Sequence, residues 1–312
     1  KSAFGAAVTW TSRWFGSFYI LLITAALVFI LSLAFSRFGR IRLGPDNSTP
    51  DFSTFAWTAM LFAAGIGTEI LFFAVAEPVE QFVHPPTGDA QAIPPASRAR
   101  EAIVLSLFHY GISGWGLYAL VGLAMAYFAY RRRDTLTLRS TLRPLLGRHT
   151  EGVIGDIVDA AALVGGVFGI AASLGVGVVQ LNVALNILFG LPQGFPTQIG
   201  LTALAVVMAT VSAVSGVDRG VRVLSTINVL LAIGLALWVL ITGDAAFLID
   251  ALIGSIGDFF TRFPQLTLET YAYNRPEDWL NAWTLFFWAW WIAWAAFVGM
   301  FLARISRGRT IR

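Results

Sequence analysis

Long apolar runs alternate with short polar segments along most of this chain. Seven of the runs are long enough to cross a hydrocarbon core of about 30 Å as helices. The pattern therefore predicts an all-α integral membrane protein. The predicted spanning helices cover residues 17–36, 54–77, 102–130, 157–189, 197–216, 221–242 and 279–303.

Two further segments follow different patterns. Segment 245–264 is apolar but is interrupted by Asp250, Asp258 and Arg262, and its large apolar residues recur at helical spacing. This pattern predicts an amphipathic helix that lies in the outer interface of the membrane. The proline-rich run 84–97 predicts an external loop.

Composition supports the membrane assignment and excludes several kinds of site. The chain is 57% hydrophobic and 12% charged, whereas soluble domains carry about 25% charged residues. It contains no cysteine, and His84, His109 and His149 are far apart in the sequence. We therefore expect no disulfide, no metal centre and no cofactor. The basic residues lie mostly in short loops, so nucleic acid is not an expected partner.

The distribution of basic residues predicts the orientation. Fifteen of the 21 Lys and Arg residues fall in segments 36–50, 131–156 and 217–222 and in the tail after residue 303. Short cytoplasmic loops are enriched in Lys and Arg, so these four segments are expected on the cytoplasmic side.

Aromatic residues concentrate on two predicted spans. On the last span, Trp290, Trp291 and Trp294 fall within an arc of about 100° at helical spacing, and Trp288 lies apart from them. The third span carries a second group, Tyr110, Trp115 and Tyr118, with glycines beside it. Two such groups can form a cage of ring faces that binds a quaternary ammonium by cation–π attraction. The alternative is helix packing or an aromatic belt at the membrane boundary.

The second span carries an unusual polar stretch. Gly65 and Gly67 weaken the helix, and a broken helix at membrane depth is typical of a transporter binding site. Glu69 follows at a depth where a carboxylate is costly and by default functional. The alternatives are close packing through the glycines and a protonated Glu69 bonded to another helix. Glu77-Pro78 is expected to end this span.

These residues identify a family resemblance. The sequence resembles the betaine/choline/carnitine transporter (BCCT) family over essentially its whole length. Family members have twelve spans and this chain looks like spans two to eight, so the first span and the last four are expected to be absent from it. The matching stretches are SRFGRIRLGPD (36–46), AGIG (64–67), FFAVAEP (72–78), WGLYALVGLAMAYFAYR (115–131), VSGVDRG (214–220) and WAWWIAWAAFVGMFLARISRGR (288–309).

The resemblance implies a fold of two five-helix repeats of inverted topology that transports by alternating access. Residues 1–53 would form a peripheral span and a cytoplasmic loop, and residues 54–244 the first repeat. Residues 245–278 would form the outer interfacial helix and loop, and residues 279–312 the first span of the second repeat with its basic tail. The resemblance also implies a homotrimer with contacts through segments 17–36 and 245–264, in the inner membrane of a bacterium.

The resemblance also implies a substrate site. The family's aromatic box carries over to Tyr110, Trp115, Tyr118 and Trp291. Trp290 and Trp294 would lie beside the box on the pathway, Phe297 would lie just inside, and Gly65, Ile66 and Gly67 would approach the substrate.

The sequence departs from two patterns that occur within the family. Glu69 stands where those members have glycine, whereas choline-transporting members tend to carry an acidic residue there. A carboxylate would pair with choline and repel the carboxylate of betaine, so Glu69 is expected to set both the substrate and the coupling. Gly166 and Ile170 replace two hydroxyl-bearing residues of sodium-coupled members, so one sodium site is expected to be lost.

The expected function is choline uptake for osmoprotection, driven by a proton gradient across the lipid bilayer. Transport or exchange of glycine betaine or carnitine is the alternative within the family. From other classes, the alternatives are an intramembrane enzyme that uses Glu69 as an acid or base and a membrane osmosensor that does not transport.

Overall fold

A computed structural model describes residues 3–65, 68–86, 90–215, 220 and 222–312, and for residues 3, 4, 68 and 69 it describes the backbone alone. No strand occurs in these ranges, which confirms the predicted all-α class. The helices are α1 (Ala3–Phe35), α2 (Thr54–Gly65), α3 (Thr68–Val83), α4 (Pro95–Tyr110), α5 (Ile112–Ala126), α6 (Leu138–Thr141), α7 (Arg143–Leu146), α8 (Val153–Phe189), α9 (Phe195–Val214), α10 (Arg222–Thr242), α11 (Ala245–Thr267), α12 (Glu277–Ala282) and α13 (Thr284–Ile305).

The candidate membrane spans agree with the apolar runs of the sequence. Six helical segments within the described ranges are long and apolar enough to cross a membrane, and α2 and α3 together would make a seventh. Many of their large apolar side chains are exposed, as lipid-facing residues must be. Segment 245–264 is helical as predicted, within α11, and its place in the interface stays a prediction.

Three predicted boundaries are wrong by more than five residues, and one of them is the start of the third span, where α4 begins at Pro95 instead of residue 102. The first helix begins at Ala3, fourteen residues before the expected start at residue 17. The helix α3 does not end at Pro78, which lies inside it, and continues to Val83. Proline removes one N–H and disturbs one turn, a defect that membrane helices tolerate because neighbouring groups satisfy the freed carbonyl.

The chain divides into two compact units. The first consists of Lys1–Asp51, Val75–Gly166 and Ile249–Arg312, and the second of Phe52–Ala74 and Val167–Leu248.

In the first unit, α5 packs between α13 and α1 through glycines. A Cβ atom at Gly122 would lie 3.2 Å from the backbone oxygen of Gly299 on α13, so the two backbones meet there. On the side facing α1, Gly116 lies against Leu27. Small residues at such contacts let membrane helices approach closely.

One end of the first unit is basic and gathers three separate segments. The amide of Leu43 donates to the carbonyl of Arg309 (2.8 Å), and the amide of Ile311 donates to the carbonyl of Ile41 (3.0 Å). The guanidinium of Arg131 donates to the carbonyl of Gly44 (3.0 Å). These contacts support the prediction that segments 36–50, 131–156 and the tail share one side of the membrane.

In the second unit, α2 packs against α10. The loop from α8 to α9 is held by Asn182, whose side-chain amide donates to the carbonyl of Pro192 (3.1 Å) and whose Oδ1 accepts from the amide of Gly194 (3.1 Å).

Candidate substrate site

The third predicted span is interrupted at a glycine. The helix α4 ends at Tyr110, Gly111 is extended (ψ −153°), and α5 begins at Ile112. A Cβ atom at Gly111 would lie 2.3 Å from the carbonyl oxygen of Leu107, so only glycine fits this bend. At the break, the carbonyl of His109 accepts a hydrogen bond from the indole N–H of Trp291 on α13 (3.0 Å). The broken helix therefore holds the indole of Trp291.

Four predicted box residues form one group, which we call the ring cluster: Tyr110, Trp115, Tyr118 and Trp291. The ring centroid of Trp291 lies 4.7 Å from that of Tyr118, 5.9 Å from that of Trp115 and 6.4 Å from that of Tyr110. Trp291 is 7% exposed, whereas Tyr110 and Trp115 are half-buried. The structure thus brings together the two aromatic groups that the sequence places on separate spans.

Trp291 packs face-on against a glycine. A Cβ atom at Gly114 would lie 2.2 Å from both Cδ2 and Cε2 of the indole. Because glycine has no side chain, the indole of Trp291 can occupy the space beside this position of α5.

The other three rings of the cluster all contact the ring of Trp291, and Trp115 also contacts Tyr118. A cation bound by the π-system lies within about 6 Å of a ring centroid. An ammonium that touches all four rings must therefore enter from the half-buried side of Tyr110 and Trp115 or separate the rings.

The other tryptophans of α13 have different ring neighbours. Trp290 lies 5.3 Å from Phe286, and Trp294 lies 5.7 Å from Phe297, which is itself 48% exposed. Trp288 is buried and packs edge-on against Phe108 (5.3 Å). Among the recorded ring contacts, those of Trp290 and Trp294 do not include the ring cluster.

The remaining predicted residues are not part of the ring cluster. Gly65 is the last residue of α2. Ile66 and Gly67 lie outside the described residues, and so does the side chain of Glu69, whose backbone is helical in α3. Gly166, predicted to have lost a sodium ligand, lies against Phe297: a Cβ atom there would meet the Cβ of Phe297 at 3.6 Å.

A buried polar network beside the ring cluster was missed by sequence reasoning. His109 Nδ1 lies 2.5 Å from Glu77 Oε1, and His109 Nε2 lies 3.0 Å from the hydroxyl of Thr284. One turn after Glu77, Gln81 Oε1 accepts from the indole N–H of Trp279 (2.6 Å). The sequence did carry a signal, because Glu77 and His109 both interrupt apolar runs, but Glu77 was interpreted as the end of a helix.

The end of the first unit opposite the basic one carries paired charges. Arg100 forms a bidentate contact with Asp258 on α11, and this guanidinium lowers the pKa of the Asp258 carboxyl. Arg262 pairs with Glu101 (3.2 Å). In the loop after α11, burial raises the pKa of the Tyr271 hydroxyl well above its usual range.

Comparison with known proteins matches this chain to one family of transporters. The family described as "BCCT, betaine/carnitine/choline family transporter" matches residues 1–312. The high-affinity choline transport protein of Escherichia coli (strain K12) is 53% identical over 308 residues, 99% of this chain and 45% of that protein. The osmo-dependent choline transporter BetT2 of Acinetobacter baylyi is 49% identical over 310 residues, which are 99% of this chain and 45% of that transporter. A glycine betaine transporter of the same organism is 41% identical over 303 residues, 97% of this chain and 45% of that protein.

The chain spans just under half the length of these relatives. The relatives are bacterial and are named as transporters, and the candidate spans agree with a multi-pass protein of the inner membrane. None of these three relatives is named as an enzyme.

Proposed function

The chain belongs to the betaine/carnitine/choline transporter family, and on that premise we propose that it is part of a secondary transporter that takes up choline. The observation that carries this proposal is the ring cluster, in which Tyr110, Trp115 and Tyr118 surround Trp291. A quaternary ammonium has no N–H to donate, so ring faces suit it better than oxygen ligands do. Each ring contact is worth about 0.5–2 kcal/mol.

Choline rather than glycine betaine is favoured by charge. Choline is a cation without a carboxylate of its own, so a carboxylate at Glu69 would pair with it. Betaine is a zwitterion, and its own carboxylate would be repelled by the same group. Two relatives at 53% and 49% identity are named for choline, and the one named for glycine betaine is 41% identical.

The driving force, the physiological role and the assembly belong to the same proposal. A proton gradient would drive uptake, since Gly166 and Ile170 offer no side-chain oxygen to sodium. Accumulated choline would serve osmoprotection. The chain would assemble as a homotrimer through α1 and α11, and its helices would form one five-helix repeat and the start of a second.

Glycine betaine or carnitine transport is the second candidate function. It is favoured by the glycine betaine transporter among the relatives and by the ring cluster, which suits any trimethylammonium group. Exchange of one such compound for another would need no coupling ion. A non-transporting osmosensor remains a different class of outcome.

One experiment separates these candidates. The full-length protein is reconstituted into liposomes, and uptake of labelled choline, glycine betaine and carnitine is measured under separately imposed proton and sodium gradients. We expect choline to accumulate with the proton gradient alone. Accumulation of betaine in preference to choline, or exchange without any gradient dependence, would replace the proposal with its alternative. Absence of uptake of all three would favour the osmosensor.

A further inference from the structure

Glu77 and His109 are the most deeply buried pair of titratable side chains recorded in the first unit. Both are 0% exposed, and they approach to 2.5 Å between Glu77 Oε1 and His109 Nδ1. They come from different helices, α3 and α4, and a third helix, α13, adds the hydroxyl of Thr284 on the far nitrogen of His109. Three helices therefore meet at one imidazole.

The pair changes the charge of the interior when it gains or loses a proton. With one proton between them, the carboxyl and the imidazole are together neutral, whichever of them carries it. With two protons the pair is positive, and with none it is negative. An uncompensated charge at such a site is costly, so either change favours a conformation in which water or another charge reaches the pair. Glu77 Oε2 is also buried and has no hydrogen-bond partner within the described residues, so the carboxyl has an unused site for a proton.

The pair is mechanically linked to the ring cluster. The backbone carbonyl of His109 holds the indole N–H of Trp291 at 3.0 Å. The imidazole stacks on Phe287 at 4.9 Å, and Phe287 lies against Tyr110 at 4.9 Å. A displacement of His109 therefore reaches two of the four rings of the cluster through direct contacts.

The other ionisable groups on the surrounding elements are recorded in contacts elsewhere, or are exposed. Asp278 at the start of α12 is exposed, and Tyr271 packs on Trp279. The recorded contacts of the others are Glu80 with His84 on α3, Arg98 with the ring and carbonyl of Phe82, Arg100 with Asp258, Glu101 with Arg262, and Arg275 with Glu277. Among the described contacts, none brings a further charge to Glu77 or His109.

Side chains next to the pair lead toward an open cavity. Gln81 lies one turn from Glu77 on α3, and it accepts a hydrogen bond from Trp279. Trp279 contacts the ring of Tyr271 at 5.8 Å. Tyr271 lines a cavity of about 300 Å³ together with Glu101, Arg262 and Glu269. Trp279 also contacts the ring of His109 at 6.2 Å, so it lies between the pair and the side chain of Tyr271 that lines this cavity.

We propose that Glu77 and His109 form the proton-binding site of the transport cycle, and that the ligand of this site is the proton that drives choline uptake. The inference rests on the proposed function for the identity of the driven substrate. It gives Glu69 the role of choosing the substrate and moves the coupling proton to a pair that touches the support of Trp291. A purely structural role, in which the network only fastens α3, α4 and α13 together, is the alternative.

Proton coupling is tested with Glu77→Gln in the full-length protein in liposomes. Glutamine keeps the shape and the hydrogen bond to His109 but cannot take up a proton. With the membrane potential held at zero, symport of one proton per choline gives about tenfold accumulation for each pH unit of gradient. We expect the wild type to reach this accumulation and Glu77→Gln to lose it, while exchange of internal for external choline continues. Glu80→Gln, on the exposed face of the same helix, is the matched control and should behave as the wild type.

Two results would overturn the proposal. One is Glu77→Gln accumulating choline about tenfold per pH unit as the wild type does, and the other is Glu69→Gln losing accumulation while it still exchanges internal for external choline. If Glu77→Gln does not fold, His109→Gln provides the same test on the other half of the pair.

Infrared difference spectroscopy tests the site without any transport. Protonation of Glu77 on a pH change should give a carboxylic acid C=O band that is lost in Glu77→Gln and retained in Glu80→Gln. A band unaffected by Glu77→Gln would contradict the proposal. If the wild type takes up no choline but the band behaves as expected, the proposed function fails and the proton site stands.

Discussion

The contact between Gly114 and Trp291 makes a single methyl group a test of the ring cluster. A Cβ atom at Gly114 would lie 2.2 Å from two carbons of the indole. Carbon atoms in contact lie about 3.5–4.0 Å apart, so in Gly114→Ala the ring must withdraw by about 1.5 Å. Withdrawal strains the hydrogen bond to the His109 carbonyl or the contact with Tyr118.

The expected loss follows from these contacts. Losing one ring contact with the ammonium costs about 0.5–2 kcal/mol, so we expect choline to bind roughly 2–30-fold more weakly. Overpacking costs the fold about 1–3 kcal/mol, and the better helix propensity of alanine returns up to about 1 kcal/mol. The variant should therefore fold with a modest loss of stability.

Gly116→Ala is the matched control on the same helix. The nearest atom to its new methyl group is Cδ1 of Leu27 at 3.0 Å, the end of a flexible side chain on α1, whereas Trp291 lies on α13. Binding of labelled choline to detergent-solubilised full-length protein and thermal unfolding are measured for both variants. If Gly114→Ala folds and binds choline as tightly as Gly116→Ala does, the position of Trp291 does not determine affinity and the reasoning is refuted.

Four further predictions follow from the site and the topology. Trp291→Leu keeps apolar bulk but removes the π-face, so equilibrium binding of quaternary ammonium should weaken roughly 5–30-fold, about 1–2 kcal/mol; unchanged affinity in a folded variant would favour plain packing. Glu69→Gly should shift competitive uptake from choline toward glycine betaine, and an unaltered preference would make Glu69 structural. Uptake should persist when sodium is replaced by a bulky organic cation, whereas a steep sodium requirement would mean that a remaining sodium site suffices for coupling. A cysteine placed at Thr141 should be labelled only from the cytoplasmic side and one at Gly88 only from outside; labelling of both from one side would refute the orientation.

Apolar periodicity predicted the helices but not their interruptions. The all-α class and the spans follow from run length, since a helix must bury about twenty apolar residues to cross a bilayer. The break at Gly111 was not predicted, because a single glycine in an apolar run is compatible with a continuous helix. At Pro78 the error was the reverse. A helix end was predicted there, because proline usually ends a helix in water, but α3 continues through Pro78.

The candidate site was predictable in its residue types and less so in its contacts. Resemblance and spacing selected Tyr110, Trp115, Tyr118 and Trp291, and in the structure the first three rings each contact that of Trp291. Helical spacing also grouped Trp290 and Trp294 with Trp291. Spacing shows which residues share one face of a helix, but it does not show which of them contact the neighbouring helix. The pairing of Glu77 with His109 depends on the packing of α3 against α4, which no local pattern contains.

The ring cluster has an optical consequence. The indoles of Trp115 and Trp291 lie 5.9 Å apart at an angle of 60°, close enough for their electronic transitions to couple and at an orientation that makes the coupling chiral. Such a pair contributes a couplet to the near-ultraviolet circular dichroism spectrum whose sign and size depend on the angle between the rings. A ligand that separates or tilts the two indoles would change that couplet directly. Occupancy of the site could then be followed without a label, as a change from the spectrum of the ligand-free protein.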